Sequence, residues 1–560
     1  MNGELDLIAE MLKHSPALIV AIPLLGAFLT PLIGKINDKI RNAFAVFIVA
    51  LTSFFVFLLA NDILSNGSIH TYVFGGGPAL TEGGFAVRIL FEVDGMNAFM
   101  AIIASILALA GVIYSWAFMK ENTGLDKYYT LILLMIAGMF GMILTGDMFN
   151  FFVFLEIASI SACALIAFRT NQGKAVDAGF KYIVISAIGA LLILFAIALL
   201  YSQYNALNMA VLAREIQLTF LDKIALALLI AGLAMKAGIV PMHMWLPDAY
   251  GRAPASVTIL LVGATQASLY GALRMTSTLY GKNIIAVLKH VDFDLFGQSV
   301  VFDITLNGVL GFIILLLAIL TIFIGVLMAL KETNFKRMIA FAAIAEIGYM
   351  ILAIGSAFLA IASIDTVTSS AILSQPGYMA LKGGIFHILN DALDIGLLFL
   401  VAGAIYYATK ETSLNKLGGL ARNMKYTTIF FLIGLFAVAG MPPLNGFASK
   451  ILIYESTYQV NPILSIIAIL CSILLLAVFV KVFHSAFLGP KQEKFDNVKE
   501  APKSMLIAMG IIACLIIFIG LFPEYVLNNI VTPAADALVN FGNYIHEVDS
   551  NYVISLIGGF

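Results

Sequence analysis

Apolar runs long enough to cross a lipid bilayer recur along the whole of this 560-residue chain, and they limit its fold more than any other feature. Each run reaches the roughly 18–20 residues that a helix needs to cross a hydrocarbon core about 30 Å thick. The composition agrees, because only 11% of the residues are charged, against about 25% in soluble domains. The sequence therefore predicts an all-α polytopic membrane protein in contact with the lipid bilayer.

The runs predict about fourteen transmembrane helices. Most of the 31 lysines and arginines fall on alternate loops, and the positive-inside rule then places both chain termini outside. We expect a multi-pass protein of a prokaryotic cytoplasmic membrane. The expected limits of the helices are 17–34, 43–61, 97–117, 128–145, 149–169, 178–201, 222–243, 255–277, 306–330, 337–356, 380–407, 427–455, 462–487 and 505–522.

Two pairs of similar segments suggest an internal repeat. "AGIVP" at 237–241 resembles "AGMPP" at 439–443, and "FKYIVISAIGALL" at 180–192 resembles "FHILNDALDIGLL" at 386–398. Similar offsets predict two five-helix repeats, each with one broken helix, and an odd number of crossings makes the copies inverted. The predicted divisions are 1–127 (helices 1–3), 128–277 (first repeat, helices 4–8), 278–305 (connecting loop), 306–487 (second repeat, helices 9–13) and 488–560 (C-terminal helix and tail).

Titratable residues inside the predicted helices are the candidates for function, because a charge at mid-membrane depth costs roughly 2.5–3.5 kcal/mol. In "AGLAMKAGIVPMHMWLPDAY" (231–250), Pro241 follows Lys236 and should disrupt the helix near Ala237. Freed carbonyls at that depth must face protein or water, so we expect a polar interior where Lys236 can release a proton. The candidate ion-translocation residues are Asp147, Glu156, Lys181, Lys236, His243, Glu346, His387, Asp391, Asp394 and Lys450.

Several of these candidates have a simpler structural explanation that stays open at this point. Lys236 and Glu156 could serve only to hold two helices together, and Lys181 could extend to the basic side of the membrane. His243 could be a core histidine with satisfied hydrogen bonds. Asp147 follows Gly146 and is as well placed to cap a helix as to take up protons.

The sequence "HILNDALDI" places His387, Asp391 and Asp394 at positions i, i+4 and i+7 of a predicted helix. Residues with this spacing share one helix face, and two acids so close together in an apolar helix are costly. Together with Glu346 and Lys450, they predict a line of titratable sites at mid-membrane depth. Moving one charge along such a line changes the proton affinity of the next group.

Four segments carry a resemblance to a known family: "LTGDMFNFFVFLEI" (144–157), "KAGIVPMHMWLPDAYGRAPASV" (236–257), "FKRMIAFAAIAEIGYM" (335–350) and "AGMPPLNGFASK" (439–450). They resemble the antiporter-like subunit family, which includes Mrp-type Na⁺/H⁺ antiporter large subunits and membrane-arm subunits of membrane-bound hydrogenases and respiratory complex I. The resemblance implies that Glu156 and Lys236 form the proton-handling pair of a first half-channel. It also implies that Lys450 is the exit-side lysine of a second half-channel, that Glu346 lies on the central axis, and that the chain works with other integral membrane subunits.

The chain departs from the family pattern at two central positions. Gln266 stands where the family usually has a lysine, and Ile395 stands where it often has another. We expect the acidic stripe with Asp391 and Asp394 to replace these lysines as the central ion-handling element. Proton transfer is the favoured use of that stripe, and Na⁺ binding is the alternative, because hard cations prefer oxygen ligands.

No cofactor or catalytic centre is expected in this chain, because its three cysteines are far apart and it carries no iron–sulfur, zinc, haem or nucleotide motif. Iron–sulfur clusters would then belong to redox partner subunits. The net charge of −2 gives no reason to expect a nucleic-acid partner. The leading hypothesis is an ion-translocating subunit of a redox-driven complex of the hydrogenase or complex I type. The alternatives are an Mrp-type antiporter subunit without redox chemistry and a structural subunit with a degenerate channel.

Overall fold

The computed structural model describes residues 2–74, 89–283, 287–295, 298–362, 376–490 and 492–547. Within these ranges the chain is mainly helical, as the apolar runs predict. The helices are α1 (Asn2–Gly34), α2 (Asp38–Asn66), α3 (Gly95–Phe118), α4 (Leu125–Leu144), α5 (Met148–Ile166), α6 (Gly173–Tyr204), α7 (Met209–Glu215), α8 (Phe220–Ala237), α9 (Leu246–Arg252), α10 (Ala255–Arg274), α11 (Leu306–Lys331), α12 (Phe335–Ala362), α13 (Pro376–Thr409), α14 (Lys425–Val438), α15 (Asn445–Val460), α16 (Pro462–Val482), α17 (Lys503–Leu521), α18 (Pro523–Val526) and α19 (Thr532–Val539).

Twelve helices in the described ranges are long and apolar enough to cross a membrane. The predicted spans 222–243 and 427–455 are not single long helices. Each contains a helix that ends early and is followed by a second helix. The all-α polytopic class is confirmed. The total of about fourteen crossings, their inverted repeat, the divisions of the chain and the outside position of the termini stay predictions.

Both predicted breaks coincide with the ends of helices. The first helix of the first pair, α8, ends at Ala237, and Gly238 follows in the left-handed region at φ +76°. The first helix of the second pair, α14, ends at Val438, and Gly440 has φ +69°. A proline follows each glycine, in the cis bonds Val240–Pro241 and Pro442–Pro443. The prediction that Pro241 interrupts its helix near Ala237 is therefore confirmed.

The most completely enclosed helices lie at the centre of the molecule. In both α12 and α13, every residue of the most apolar 18-residue stretch is buried. These two helices pack against each other, while α10 packs against α3, α8 and α13. The interface between α10 and α13 therefore joins the part of the chain that holds the first break to the part that holds the second. Polar side chains on these helices face protein and not lipid.

Two antiparallel hairpins interrupt the helical pattern, and the sequence reasoning did not predict them. Strand β1 (His70–Phe74) pairs with β2 (Ile89–Val93), and β3 (Val287–Leu295) pairs with β4 (Gln298–Thr305). All four lie between predicted transmembrane helices. Their aromatic and β-branched residues suit a strand, but these segments are short beside the long apolar runs. The strand β2 leads directly into α3, pairs through Phe91 with Thr145, and places Glu92 against Gly146, just before the start of α5.

Candidate ion-translocation site

Lys236 and Glu156 form the first pair of the candidate site. Lys236 lies in the last turn of α8, and its Nζ is 3.3 Å from Oε1 of Glu156 on α5. The same ammonium also donates hydrogen bonds to Ser159 Oγ at 2.8 Å and Ser186 Oγ at 2.6 Å. The Lys236 side chain is buried, whereas that of Glu156 is 28% exposed. The predicted contact between this cation and this acid is therefore present, with two hydroxyls as additional partners.

The polar interior expected beside the first break is also present. The indole N–H of Trp245 donates to the carbonyl of Met235 at 2.9 Å, and the backbone N–H of Val240 donates to Thr321 Oγ1 at 3.2 Å. These side chains satisfy backbone groups that the interrupted helix leaves open. Beside Lys236 lies a cavity of about 20 Å³, which is room for about one water molecule. Its polar lining comes from Ser159, Tyr182, Lys236, Thr265 and Ser268.

Three titratable side chains meet at the second break. Lys450 on α15 donates to Glu346 Oε1 on α12 at 2.8 Å, and His387 on α13 lies 2.8 Å from the other oxygen of that carboxylate. Lys450 also donates to the carbonyl of Val438, the last residue of α14, at 2.7 Å. The side chains of Glu346, His387 and Lys450 are each only 2% exposed. The carboxylate of Glu346 therefore joins the lysine beside the break to the first member of the α13 stripe.

A polar network continues along α13 from His387 to Asp394. His387 Nδ1 lies 3.0 Å from Ser449 Oγ, and Asn390 donates to the same hydroxyl at 2.9 Å. Asn390 also donates to the carbonyl of Asn445 at 2.9 Å, and the Asn445 amide donates to Asp394 Oδ1 at 2.9 Å. Asp394 thus lies at the first residue of α15, where a helix favours a negative charge.

Gly446 makes the close approach at the start of α15 possible. A Cβ atom at this position would collide with the carbonyl oxygen of Ala437 and would lie 3.4 Å from Asp394 Oδ2. Only glycine therefore lets the start of α15 pack against the end of α14 and against Asp394. The sequence motif "PPLNGF" supplies this glycine next to the asparagine that contacts the acid.

The two departures from the family pattern have different surroundings. Gln266 on α10 donates a hydrogen bond from Nε2 to Asp391 Oδ2 on α13 at 2.9 Å. Ile395, in contrast, is fully buried among hydrophobic side chains. The position where the family usually has a central lysine therefore contacts the acidic stripe directly. The second missing lysine is replaced by a residue of the apolar core.

Three other predicted residues lie apart from these two groups. Lys181 is 47% exposed and pairs with Asp177 at 2.9 Å and with Asp248 at 3.0 Å. His243 is buried near the first break, and its Nδ1 has no hydrogen-bond partner among the described residues. Asp147 caps α5, since Oδ1 accepts the backbone N–H of Asn150 at 2.7 Å. The cap is thus the observed contact of Asp147, and its use in proton uptake stays a prediction.

The sequence reasoning missed a buried charged cluster where β2 meets α3. Arg274 at the end of α10 donates to Asp94 Oδ1 at 2.5 Å and to Asn97 Oδ1 at 2.7 Å. Glu92 in β2 is fully buried and accepts a hydrogen bond from Asn208 at 2.9 Å. Burial raises the pKa of Glu92 to about 8. The charged residues at the edges of predicted helices were the available signal, but sequence spacing could not bring them together.

Paired acids and bases beside two interrupted helices are typical of membrane transport proteins. Residues 145–292 and 285–476 match the transmembrane family described as NADH:quinone oxidoreductase/Mrp antiporter. Residues 80–129 match the family described as the N-terminus of complex I chain 5. The chain belongs to this antiporter-like family, and it is a multi-pass membrane protein.

Relatives with different named functions are similar to nearly the whole chain. An NADH-quinone oxidoreductase subunit of Desulforudis audaxviator is 28% identical, over 93% of this chain and 98% of the relative. An Na⁺/H⁺ antiporter subunit of Alkalihalophilus pseudofirmus is 29% identical, over 95% of this chain and 99% of the relative. A chain of the archaeal membrane-bound sulfane sulfur reductase is 26% identical, with a TM-score of 0.74. This structural alignment covers 90% of the present chain and 75% of the reductase chain. All three are components of larger systems by name.

Proposed function

We propose that this antiporter-like subunit translocates protons within a multisubunit, redox-driven membrane complex. The observation that carries the proposal is the pair of acid–lysine contacts at the two breaks, Glu156–Lys236 at 3.3 Å and Glu346–Lys450 at 2.8 Å, in which both lysines are buried. Intramembrane charges of this kind are expensive and are characteristic of proton relays. A lysine in such a pair can release and regain its proton, which an arginine cannot do.

The polar groups between the two pairs mark the path that we propose for the proton. From Lys236, the small cavity leads to Thr265, whose hydroxyl lies 2.8 Å from the Tyr250 hydroxyl. Thr265 precedes Gln266, and the side-chain amide of Gln266 donates a hydrogen bond to Asp391. Asp391 and His387 are one helical turn apart on one face of α13. From His387, the path reaches Glu346 and then Lys450 through contacts of 2.8 Å each.

The exposure of Glu156 supports a partner subunit at the first pair. Glu156 lies in the middle of α5, at mid-membrane depth, and its side chain is 28% exposed. A carboxylate that faces lipid at this depth is unfavourable by several kcal/mol. We therefore infer that another membrane subunit, or the water that it encloses, covers this face of α5 in the assembled complex.

Redox coupling is the part of the proposal that depends most on the relatives. The named relatives include a quinone oxidoreductase subunit and a chain of a sulfane sulfur reductase. The second candidate is an Mrp-type antiporter subunit, favoured by the 29% identity to an Na⁺/H⁺ antiporter subunit. Gently solubilised complex should copurify with iron–sulfur proteins if the first assignment is correct. Copurification with small hydrophobic subunits alone would support the second.

Proton transport is tested separately in reconstituted vesicles that contain the purified complex. Glu156→Gln and Lys236→Ala should each reduce coupled proton transport at least about tenfold, which corresponds to about 1.4 kcal/mol in a barrier. Gel filtration should show that both variant complexes still assemble. Transport at the unmutated level in both variants would exclude this relay and would support a structural subunit with a degenerate channel.

A further inference from the structure

We propose that Asp391 and Gln266 form a proton-binding site in which a neutral carboxylic acid pairs with a carboxamide through two hydrogen bonds. This inference rests on the proposed function and assigns a specific carrier between the two ion pairs. One of the two hydrogen bonds is present, from Gln266 Nε2 to Asp391 Oδ2 at 2.9 Å. The second would run from a proton on Asp391 to the carbonyl oxygen of the Gln266 side chain.

Two unpartnered oxygens in the same pair of residues carry this proposal. Asp391 Oδ1 and Gln266 Oε1 are both buried and have no hydrogen-bond partner in the described structure. The residues that bear them are 3% and 2% exposed. A buried acceptor left without a donor costs about 1–3 kcal/mol. Both atoms are acceptors, so a deprotonated Asp391 cannot satisfy either of them.

A single proton satisfies both oxygens. A protonated carboxyl group has one O–H donor, and a carboxamide offers both N–H donors and a carbonyl acceptor. Glutamine therefore complements the neutral acid, with one hydrogen bond in each direction. A lysine at position 266 would instead bring only donors and a positive charge, and would favour the ionised carboxylate. The replacement of lysine by Gln266 thus matches the presence of an acid at 391.

The charged groups around Asp391 do not give it a counter-ion of its own among the described residues. The groups that act on it are Asp394 on its own helix, Glu346 on α12 and Lys450 on α15, and its own charge acts on Tyr250 of α9. Lys450, the cation of this set, already contacts Glu346 at 2.8 Å. In the described residues, Asp391 has no ion pair of its own. A buried carboxylate without a counter-ion is strongly disfavoured.

The position of the pair suits a carrier between the two halves. Gln266 lies on α10 and Asp391 on α13, and these helices pack together at the centre of the molecule. Thr265, the neighbour of Gln266, lines the cavity beside Lys236. His387 lies one helical turn from Asp391 and contacts Glu346. Asp391 therefore lies between the helix that lines the Lys236 cavity and the histidine that contacts Glu346, and release of its proton would break one of the two hydrogen bonds.

Infrared spectroscopy of the reconstituted complex tests the site directly. Other protonated carboxyl groups, such as Glu92, absorb in the same C=O stretching region, so the spectra of the variants are compared as differences from the unmutated protein. Asp391→Asn should remove one C=O stretching band that shifts in D₂O, while Asp394→Asn, the matched control on the same helix face, should retain this band. Gln266→Lys should also remove this band although Asp391 is still present, because the new cation favours the carboxylate. An Asp391→Asn spectrum that lacks no such band, or a Gln266→Lys spectrum that retains it, would overturn the proposal.

Transport measurements separate this inference from the proposed function. Asp391→Asn should reduce proton transport at least about tenfold, like Lys236→Ala. If Lys236→Ala reduces transport and Asp391→Asn does not, the relay stands and the carrier assignment fails. If neither does, the proposed function itself fails. A band that Na⁺ abolishes in the unmutated protein would show a cation on these oxygens, and would overturn the proton site.

Discussion

The two breaks hold their charged groups in different ways. At the first break, Lys236 faces an acid at 3.3 Å that is 28% exposed, and two serine hydroxyls share its donors. At the second break, Lys450 faces a fully enclosed Glu346 at 2.8 Å, with His387 on the other oxygen of the carboxylate. The first pair has neutral partners that remain if one charge is lost. At the second break, loss of Lys450 would leave the buried Glu346 with His387 alone and without a lysine to balance its charge.

The two lysines also lie on opposite sides of their breaks in the sequence. Lys236 precedes the first break, at the C-terminal end of α8, where a helix favours a cation. Lys450 follows the second break and donates to the carbonyl at the end of α14, a task that Trp245 performs at the first break. Lys450 therefore both balances the charge of Glu346 and binds a free carbonyl at the end of α14. Lys236 balances a charge, but Trp245 binds the free carbonyl at the first break.

The largest effect should come from removing the cation at the second break. Lys450→Ala leaves Glu346 buried beside His387 without its lysine, and the loss of one partner of a buried pair costs about 3–5 kcal/mol. We expect a clear decrease in the thermal stability of the purified complex and loss of proton transport in vesicles. A stability equal to that of Lys236→Ala would contradict the distinction between the two breaks.

Arginine at position 450 sharpens this result. Lys450→Arg keeps the positive charge but does not release a proton. Its stability should lie above that of Lys450→Ala, because Glu346 keeps a cationic partner. Its proton transport should nevertheless be as low as that of the alanine variant. If the arginine variant transports protons, a fixed charge is sufficient at this position and proton release by Lys450 is not required.

The first pair should show a smaller stability change with an equally large functional change. Glu156→Gln removes one charge but keeps a side-chain oxygen that can accept a hydrogen bond from Lys236. Lys236 keeps Ser159 and Ser186 as partners in this variant. We expect a melting temperature close to that of the unmutated complex, together with strongly reduced proton transport. A stability loss as large as that of Lys450→Ala would show that the two ion pairs contribute equally to the stability of the complex.

The sequence predicted the elements of this comparison better than their contacts. Apolar runs predicted the helices, and Pro241 predicted where α8 ends, because both effects are local. The contacts of Lys236 with Ser159 and Ser186 were not predicted, since serines in apolar helices give no distinctive pattern. The contact between Gln266 and Asp391 joins two residues that are 125 positions apart in sequence. A contact of this kind depends on how α10 packs against α13, and one sequence alone does not give that packing.

The smallest effect should come from replacing Lys181. This change tests whether a partly exposed lysine near the first break matters as much as the buried Lys236. Its side chain is 47% exposed, and it pairs with Asp177 and Asp248. Asp248 keeps a second cation, Arg337, at 3.3 Å when Lys181 is removed. Lys181→Ala should therefore leave both thermal stability and proton transport in vesicles at the unmutated level, while Lys236→Ala, the same change in the buried pair, abolishes transport. If Lys181→Ala lowers transport, the proton path at the first break also includes Lys181 and Asp248, and it extends beyond the pair of Glu156 and Lys236.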